Sequence, residues 1–229
     1  MVTAAKPPVK LIKLFDIESC PHCRAVREAL TALGLNAEIY PCPTGGTRYR
    51  AQAMKATGTY ALPLLVDDNT STALQDSKVI VEYLFRTYGL QTTPARYRSS
   101  ALRPWAGAAA SVVRGSRGVA ARASQRPAKI LVLWSFESSP YARLVRERLC
   151  ELEIAYVLFN IGKEQLADMG PAVQRIKPGT YKPLTGGLRE KILAEHGRVQ
   201  VPYLEDPNTG VTLYESSVII DYLESRYAI

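Results

Sequence analysis

The chain has 229 residues, 47% apolar and 22% charged, the composition of a globular protein rather than a disordered one. That length makes one large or two small domains, every run of about 18 apolar residues is interrupted by charge, and four cysteines are too few for a disulfide-stapled secreted scaffold. The net charge of +8 sits in one place: Arg96–Lys129 carries seven arginines, one lysine and no acid, so the other 21 basic residues balance the 21 acidic ones.

The opening, Met1 to Lys10, has no apolar signal core and is too short for a transit peptide, which predicts a soluble protein of a reducing compartment. Leu11–Phe15, a short apolar run ended by turn residues, predicts a buried strand. Cys20-Pro21-His22-Cys23 follows it and opens a helix in which Val26, Leu30 and Leu33 share a face, with proline where a helix lacks a partner for its first N–H groups. A second strand is expected at Asn36–Tyr40 and a third at Leu62–Val66. Asp67-x-Asn69-Thr70 marks a turn, Leu74 a short fourth strand, and a last helix ends near Tyr88.

Gln91–Arg126 is rich in Arg, Ala, Ser and Gly. It predicts a solvated connector, partly helical over Ala101–Ala121 but limited by Pro104, Gly107, Gly115 and Gly118. A basic stripe is also a candidate contact for an acidic partner or surface. Interleaved aromatics stop at Tyr97 and Trp105 and no nucleic-acid motif accompanies them, so nucleic acid is not expected. A membrane-surface helix is disfavoured because its apolar face would be mostly alanine.

Beyond the connector the elements recur. A shift of 119 lays Lys10–Leu33 on Lys129–Leu152 with 11 of 24 positions identical, among them Glu18/Glu137, Pro21/Pro140, Arg24/Arg143 and Arg27/Arg146. A shift of 139 lays Leu62–Tyr88 on Val201–Tyr227, matching Pro63/Pro202, Asp67/Asp206, Asn69/Asn208, Ser77/Ser216 and Tyr83/Tyr222. The second copy thus has strands at Ile130–Trp134, Ala155–Phe159 and Val201–Leu204, a short one at Leu213, and 20 extra residues within Gly162–Gly187. Each copy reads β-α-β, a variable helical segment, then β-β-α. The division is 8–90, a basic connector 91–127, and 128–229 with Ser139-Pro140-Tyr141-Ala142 in place of CxxC.

Chemistry concentrates at Cys20 and Cys23. A tetrahedral zinc site needs two more ligands, whereas Cys42 and Cys150 are single and the histidines number two, so no metal is expected. A helix N-terminus instead stabilises a thiolate, making Cys20 the nucleophile, while Cys23, one turn inward, is placed to resolve a mixed disulfide. Two incidental buried cysteines are the bland alternative. Cys42, between two prolines, reads as a loop thiol open to regulatory disulfide formation or glutathionylation. Cys150 reads as core packing and His196 as a neighbour of a C-terminal cap. Gly45-Gly46 and Gly186-Gly187 lack the Lys-Ser/Thr of a phosphate loop.

With these motifs in view, the chain resembles the glutaredoxin branch of the thioredoxin superfamily, and above all tandem proteins built from the N-terminal domain of glutathione S-transferases. The resemblance implies an α/β fold of two tandem thioredoxin-like domains without the all-helical transferase C-terminal domain, the first redox-competent and the second redox-silent. It implies that Pro63 and Pro202 are cis, and that the backbones of Leu62 and Val201 pair with the cysteinyl part of glutathione. Asp76 and Ser77, and Glu215 and Ser216 in the second copy, would hold its γ-glutamyl end, although Asp/Glu-Ser is also an ordinary helix cap. Ser139 replaces Cys20 and Ala142 replaces Cys23, so thiol chemistry is confined to the first copy; Ser139 is left to activate a bound glutathione thiol or to serve a scaffold, and Tyr141 is a less convincing substitute.

The expected function is a glutathione-linked thiol–disulfide oxidoreductase acting on protein or small-molecule disulfides, with Cys20 as nucleophile and Cys23 or glutathione resolving. The alternatives are a glutathione-dependent transferase or peroxidase on a small electrophile, and a non-catalytic module that binds glutathione or a glutathione-ligated iron–sulfur cluster. The compartment is then the cytoplasm or, if a transit peptide has been trimmed, the chloroplast stroma. A transferase-type unit of this size covers one sheet face with another domain, which predicts that the copies pack together with the connector outside.

Overall fold

Apolar runs that read as strands in both copies pair into one sheet. The structure, a computed structural model, describes residues 6–98, 117–169 and 180–229. The first half contains β1 (Ile12–Asp16), α1 (Pro21–Leu33), β2 (Ala37–Pro41), α2 (Arg50–Thr57), β3 (Leu64–Asp67), β4 (Thr72–Gln75) and α3 (Ser77–Thr87). The second repeats the order with β5 (Leu131–Ser135), α4 (Pro140–Glu151), β6 (Tyr156–Asn160), α5 (Leu188–His196), β7 (Tyr203–Asp206), β8 (Val211–Tyr214) and α6 (Ser216–Tyr227). β1, β2, β5 and β6 begin one residue later than the apolar pattern predicts, and β3 and β7 two later, because Leu62-Pro63 and Val201-Pro202 lie ahead of those two strands rather than in them. The expected partial helix at Ala101–Ala121 and part of the extra segment in Gly162–Gly187 lie outside the described residues.

Within each half the pairing is that of a thioredoxin-like sheet. β1 runs parallel to β2 and antiparallel to β3, which is antiparallel to β4; β5, β6, β7 and β8 repeat this. The eight strands form a single sheet of order β4-β3-β1-β2-β6-β5-β7-β8. Its seam is the antiparallel pair β2–β6, with Ala37 opposite Leu158, Glu38 opposite Val157 and Ile39 opposite Tyr156. Under the 119 shift Glu38 is the equivalent of Val157, so a pseudo-twofold axis passes through that pair and the contact is isologous, as in a symmetric dimer. This corrects the expected face-to-face packing. An open β2 edge would present unpaired N–H and C=O groups, and the second copy satisfies them edge to edge.

The core follows the sheet across the seam. One apolar cluster holds Leu14, Leu30, Ile39 and Leu84 together with Leu133, Leu149, Tyr156 and Leu223, so it draws on helices α1, α3, α4 and α6. On the other face two smaller clusters lie beneath α2, around Phe15, Tyr49 and Ala53, and beneath α5, around Trp134, Ile192 and Tyr203. Helix α1 starts at Pro21 and stops at Gly34, whose left-handed φ of 64° lets its N–H reach the last carbonyls. The described end of the connector is docked rather than solvated. Thr44 bridges Ala120, Ala121 N–H donates to Thr44 O, Arg122 pairs with Glu224 at 2.6 Å, and Ser124 Oγ donates to Leu152 O. Among the described residues no helix is long and apolar enough to cross a membrane.

Candidate functional site

The register of β1 against β3 pairs Phe15 with Leu64, which sets Pro63 opposite Asp16, where the chain leaves β1 for the cysteine motif. Both Leu62-Pro63 and Val201-Pro202 are cis, as the resemblance implies. Cys20 is the N-cap residue of α1, with extended backbone (φ −73°, ψ 123°), and is partly exposed; Cys23 is fully buried. The two thiols are split apart electrostatically. A hydrogen bond from Cys23 pulls the Cys20 thiol down to about 6 against the opposing effect of burial, helped by the Cys23 and His22 amides and the His22 ring. Burial pushes Cys23 well above the usual thiol range, and Cys20 and Asp16 add to that. Ile17 N–H points at Cys23 Sγ at 3.5 Å. The arrangement favours ionisation of the partly exposed Cys20 over the buried Cys23.

Asp76 and Ser77 sit at the N-terminus of α3. Asp76 caps the helix, its carboxylate accepting from Lys78 N at 2.8 Å and Val79 N at 3.4 Å. Its φ of 74° is sparsely populated for a side-chain-bearing residue, and Glu215 repeats it with φ 67°. Ser77 Oγ lies 3.4 Å from His22 Nδ1, tying the cap to the cysteine motif. On the sequence His22 counts only among the possible metal ligands, and the signal for it is its place inside the motif.

In the second half Ser139 caps α4, its Oγ accepting from Ala142 N at 3.2 Å, which leaves the hydroxyl hydrogen free to donate. Ser139 and Val201 line one cavity of about 330 Å³, with Phe136, Lys163, Met169 and Gln200 among its walls. Pro202, Glu215 and Ser216 are not among the lining residues. Gln200 nonetheless donates to Glu215 Oε1, which links that carboxylate to the cavity edge. Glu215 makes no side-chain cap, so the capping explanation holds for Asp76 and fails for Glu215; the longer side chain carries its carboxylate past the helix amides to Gln200. Tyr141 is 62% exposed, at the cavity mouth. Lys163, Ala167, Asp168, Met169 and Tyr181 of the wall belong to the extra segment and carried no sequence signal. Asp168 is a strut there, accepting from Glu164 N, Gln165 N and Tyr181 Oη and facing Arg189 at 3.6 Å.

Between the two motifs lies a buried ion-pair belt that sequence reasoning missed. Arg27 Nε donates to Glu137 at 3.0 Å, and its other nitrogens bind Asp16 and the Glu18 carbonyl. Reciprocally, Arg146 binds Glu18 at 3.1 Å, the Glu137 carbonyl at 3.2 Å and Ser135 Oγ at 3.1 Å. Each arginine therefore holds the motif loop of the opposite half as well as its own. Burial raises Asp16 to about 6 in spite of Arg27, while the two arginines, acting against burial, hold Glu137 below the usual range. The identity of all four Glu and Arg positions across the repeat was the available signal.

The remaining thiols are buried. Cys42 is fully buried and pushed up to about 12 by burial, which corrects the reading of an accessible loop thiol: the chain turns inward under α2, where Cys42 packs with Phe15 and Tyr49. Cys150 is buried, its thiol donating to Gly118 O at 3.4 Å. His196 closes α5 ahead of Gly197, as expected, and its ring also packs on Tyr203.

The family model of the glutathione S-transferase N-terminal domain matches the chain twice, over residues 14–93 and 133–228. Comparison with curated proteins gives no match. Among solved structures the chain is similar to a glutathione transferase of Bombyx mori, BmGSTD1, with 26% identity and a TM-score of 0.33 over 38% of this chain and 39% of that one. It is also similar to TDR1, a trimeric glutathione transferase of Leishmania, with 13% identity and a TM-score of 0.29 over 96% of this chain and 68% of that one. The chain thus spans about two fifths of the Bombyx mori protein.

Proposed function

The chain belongs to the glutathione S-transferase N-terminal domain family, whose model it matches in two segments, and from that premise we propose that its first half is a glutathione-linked thiol–disulfide oxidoreductase. The observation that carries this is the split thiol pair: Cys20, at a helix N-terminus, held near 6, against a buried and protonated Cys23. At neutral pH the Cys20 thiolate attacks the substrate-side or glutathione-side sulfur of a mixed disulfide, and one thiol leaves. From Cys20 bound to glutathione, a second glutathione thiolate releases oxidised glutathione and restores Cys20. From Cys20 bound to a protein, Cys23 loses its proton and attacks the Cys20 sulfur, breaking the mixed disulfide, releasing the protein's thiol with that proton and closing Cys20–Cys23, which two glutathiones then reduce, leaving as oxidised glutathione. Leu62 and Pro63 at the motif, and Asp76 and Ser77 at the α3 N-terminus, are assigned to glutathione, with His22 orienting Ser77. The working division is 8–90 for this unit, 91–127 for the connector and 128–229 for the second unit.

Reduction of a glutathione mixed disulfide, coupled to glutathione reductase, tests the assignment. Cys20→Ser is expected to lower the rate by about a hundredfold or more, whereas Cys23→Ser keeps a glutathione-dependent part of it. Equal loss in both variants, or none in Cys20→Ser, removes the reading.

A second reading is favoured by the cavity at Ser139: a glutathione site in the second half, used by a transferase or peroxidase acting on a small electrophile. Ser139 Oγ–H would donate to the glutathione thiolate, Val201 and Pro202 would take its backbone, and Glu215 and Ser216 its γ-glutamyl end. Conjugation assays with Cys20→Ser/Cys23→Ser protein, with and without Ser139→Ala, test this reading.

A further inference from the structure

We propose that the second half completes the thiol site of the first: Arg146 is a positioning residue that reaches across the seam and fixes, through Glu18, the loop that presents Cys20. This deepens the oxidoreductase reading above and rests on it. The half without a CxxC motif is then part of the reactive site in the half that has one.

Ile17, Glu18 and Ser19 join the end of β1 to Cys20, and Glu18 is the buried one of the three. Its carboxylate is gripped from the opposite half: Arg146 Nε lies 3.2 Å from both oxygens and Nη2 3.1 Å from one. From its own half, Arg27 Nη2 donates to the Glu18 carbonyl at 2.9 Å and stands 3.2 Å from the carboxylate. Cys20 N–H closes the loop onto Ile17 O at 3.1 Å. The loop is therefore clamped at Glu18 by one guanidinium from each half, two residues before the nucleophile. Arg146 is itself fixed on the second half, where it donates to Ser135 Oγ at 3.1 Å, Phe136 O at 3.3 Å and Glu137 O at 3.2 Å. A planar guanidinium can hold those acceptors and the Glu18 carboxylate at once, which an ammonium cannot.

Loss of the clamp acts on Cys20 in one direction by two routes. The hydrogen bond from Cys23 is what most lowers the Cys20 thiol, and it needs the loop and the first turn of α1 held in register. His22 adds to that lowering, and Asp16 at the end of β1 acts on Cys23. The second route is charge. A neutral residue at 146 leaves Glu18 to Arg27 alone, which Asp16 and Glu137 already share. All of these groups are buried, and Arg24, 3.9 Å from Glu137, stands at the rim. Tyr156 of β6 and Cys150 of α4 face the same carboxylates; burial pushes both well up, so they bring no compensating charge. The unbalanced carboxylate makes the surroundings of the loop more negative and disfavours a thiolate at Cys20.

The pH dependence of Cys20 alkylation by iodoacetamide, in the full-length protein, tests the proposal. Arg146→Met is expected to raise the midpoint by about one pH unit or more, which at pH 6 slows the reaction about fivefold. Arg146→Lys keeps the charge without the planar fork and is expected to recover part of that shift. Leu223→Ala opens a cavity in the buried core of α6, away from the belt, and lowers stability while leaving the midpoint where it is. A midpoint unmoved in both Arg146 variants, or moved as far by Leu223→Ala, overturns the assignment of Arg146 and leaves the oxidoreductase reading standing. If Arg146→Met does not fold, Arg146→Lys decides alone: a midpoint above that of the unaltered protein supports the clamp, and an equal one overturns it. Failure of the unaltered protein to reduce a glutathione mixed disulfide, with the Arg146 shifts present, removes the oxidoreductase reading and leaves the clamp as a property of the thiol.

Discussion

At three equivalent positions the first half has Asp16, Cys20 and Cys23 where the second has Ser135, Ser139 and Ala142. The backbone around them is the same: a parallel strand, a proline-started helix, a cis X–Pro bond and a cap residue at positive φ. What differs is what surrounds the helix start. In the first half burial, with Cys20 and the buried Asp16, raises the Cys23 thiol and so separates the two thiols. The second has lost the thiols and the acid together, and its 20 extra residues supply Lys163, Ala167, Met169 and Tyr181 to a cavity wall. One scaffold thus carries a thiol pair at the helix start of one copy and a cavity beside a serine at that of the other, a difference in site chemistry and not in fold.

The halves nevertheless share one sheet and one apolar core, and the belt between them is the strongest place to break the comparison. Arg27→Met leaves Asp16, Glu18 and Glu137 short of a cation in a buried site and is expected to cost about 3–5 kcal/mol in chemical denaturation. Arg146→Met should cost somewhat less, because Arg146 faces two carboxylates, Glu18 and Glu137, with the neutral Ser135 standing where Arg27 has Asp16. Losses under about 1 kcal/mol in both would mean that the belt does not join the halves.

The next effect is on proton affinity. Iodoacetamide alkylation of Cys20 should rise with pH through a midpoint near 6 and then level off, since the thiolate reacts and its pKa is lowered. Ser139→Cys in a Cys20→Ser/Cys23→Ser background gives the second half a thiol at the same helix position without its Cys23 donor. Its midpoint is expected to lie at least about one unit higher, and adding Ala142→Cys should bring it back down. Cys42 and Cys150 are buried and stay silent in this assay. Equal midpoints for Cys20 and the lone engineered thiol would assign the lowering to the helix end alone.

The smallest contrast lies at the caps. Asp76→Ala removes a carboxylate that accepts two helix amides, and Glu215→Ala removes one that accepts none. Both carry the same backbone penalty at positive φ, so the expected difference in stability is the cap itself, about 1 kcal/mol. Equal losses would show that the Glu215–Gln200 contact stabilises as much as a cap.

The sequence by itself determined the elements and their chemistry. Short apolar runs ended by turn residues, and helical faces such as Val26–Leu30–Leu33, placed the strands and helices, since those patterns depend on local backbone geometry. Proline after Cys20 and Ser139 located the helix starts for the same reason, and the repeat itself declared two copies of one unit. The tertiary structure decided everything that depends on which surfaces meet. β2 shows nothing in its residues that names an edge partner, because strand pairing is made by backbone groups that every sequence shares. Arg27 and Glu137 are 110 residues apart, and on the sequence each reads as a charge on a helix or in a loop. Cys42 looked exposed between two prolines until the fold buried it beside Phe15, and the cavity at Ser139 needed a segment without any motif to close it. Burial, charge pairing and enclosure are properties of assembled surfaces, so a linear pattern can nominate Cys20 or Ser139 but cannot say what lies against them.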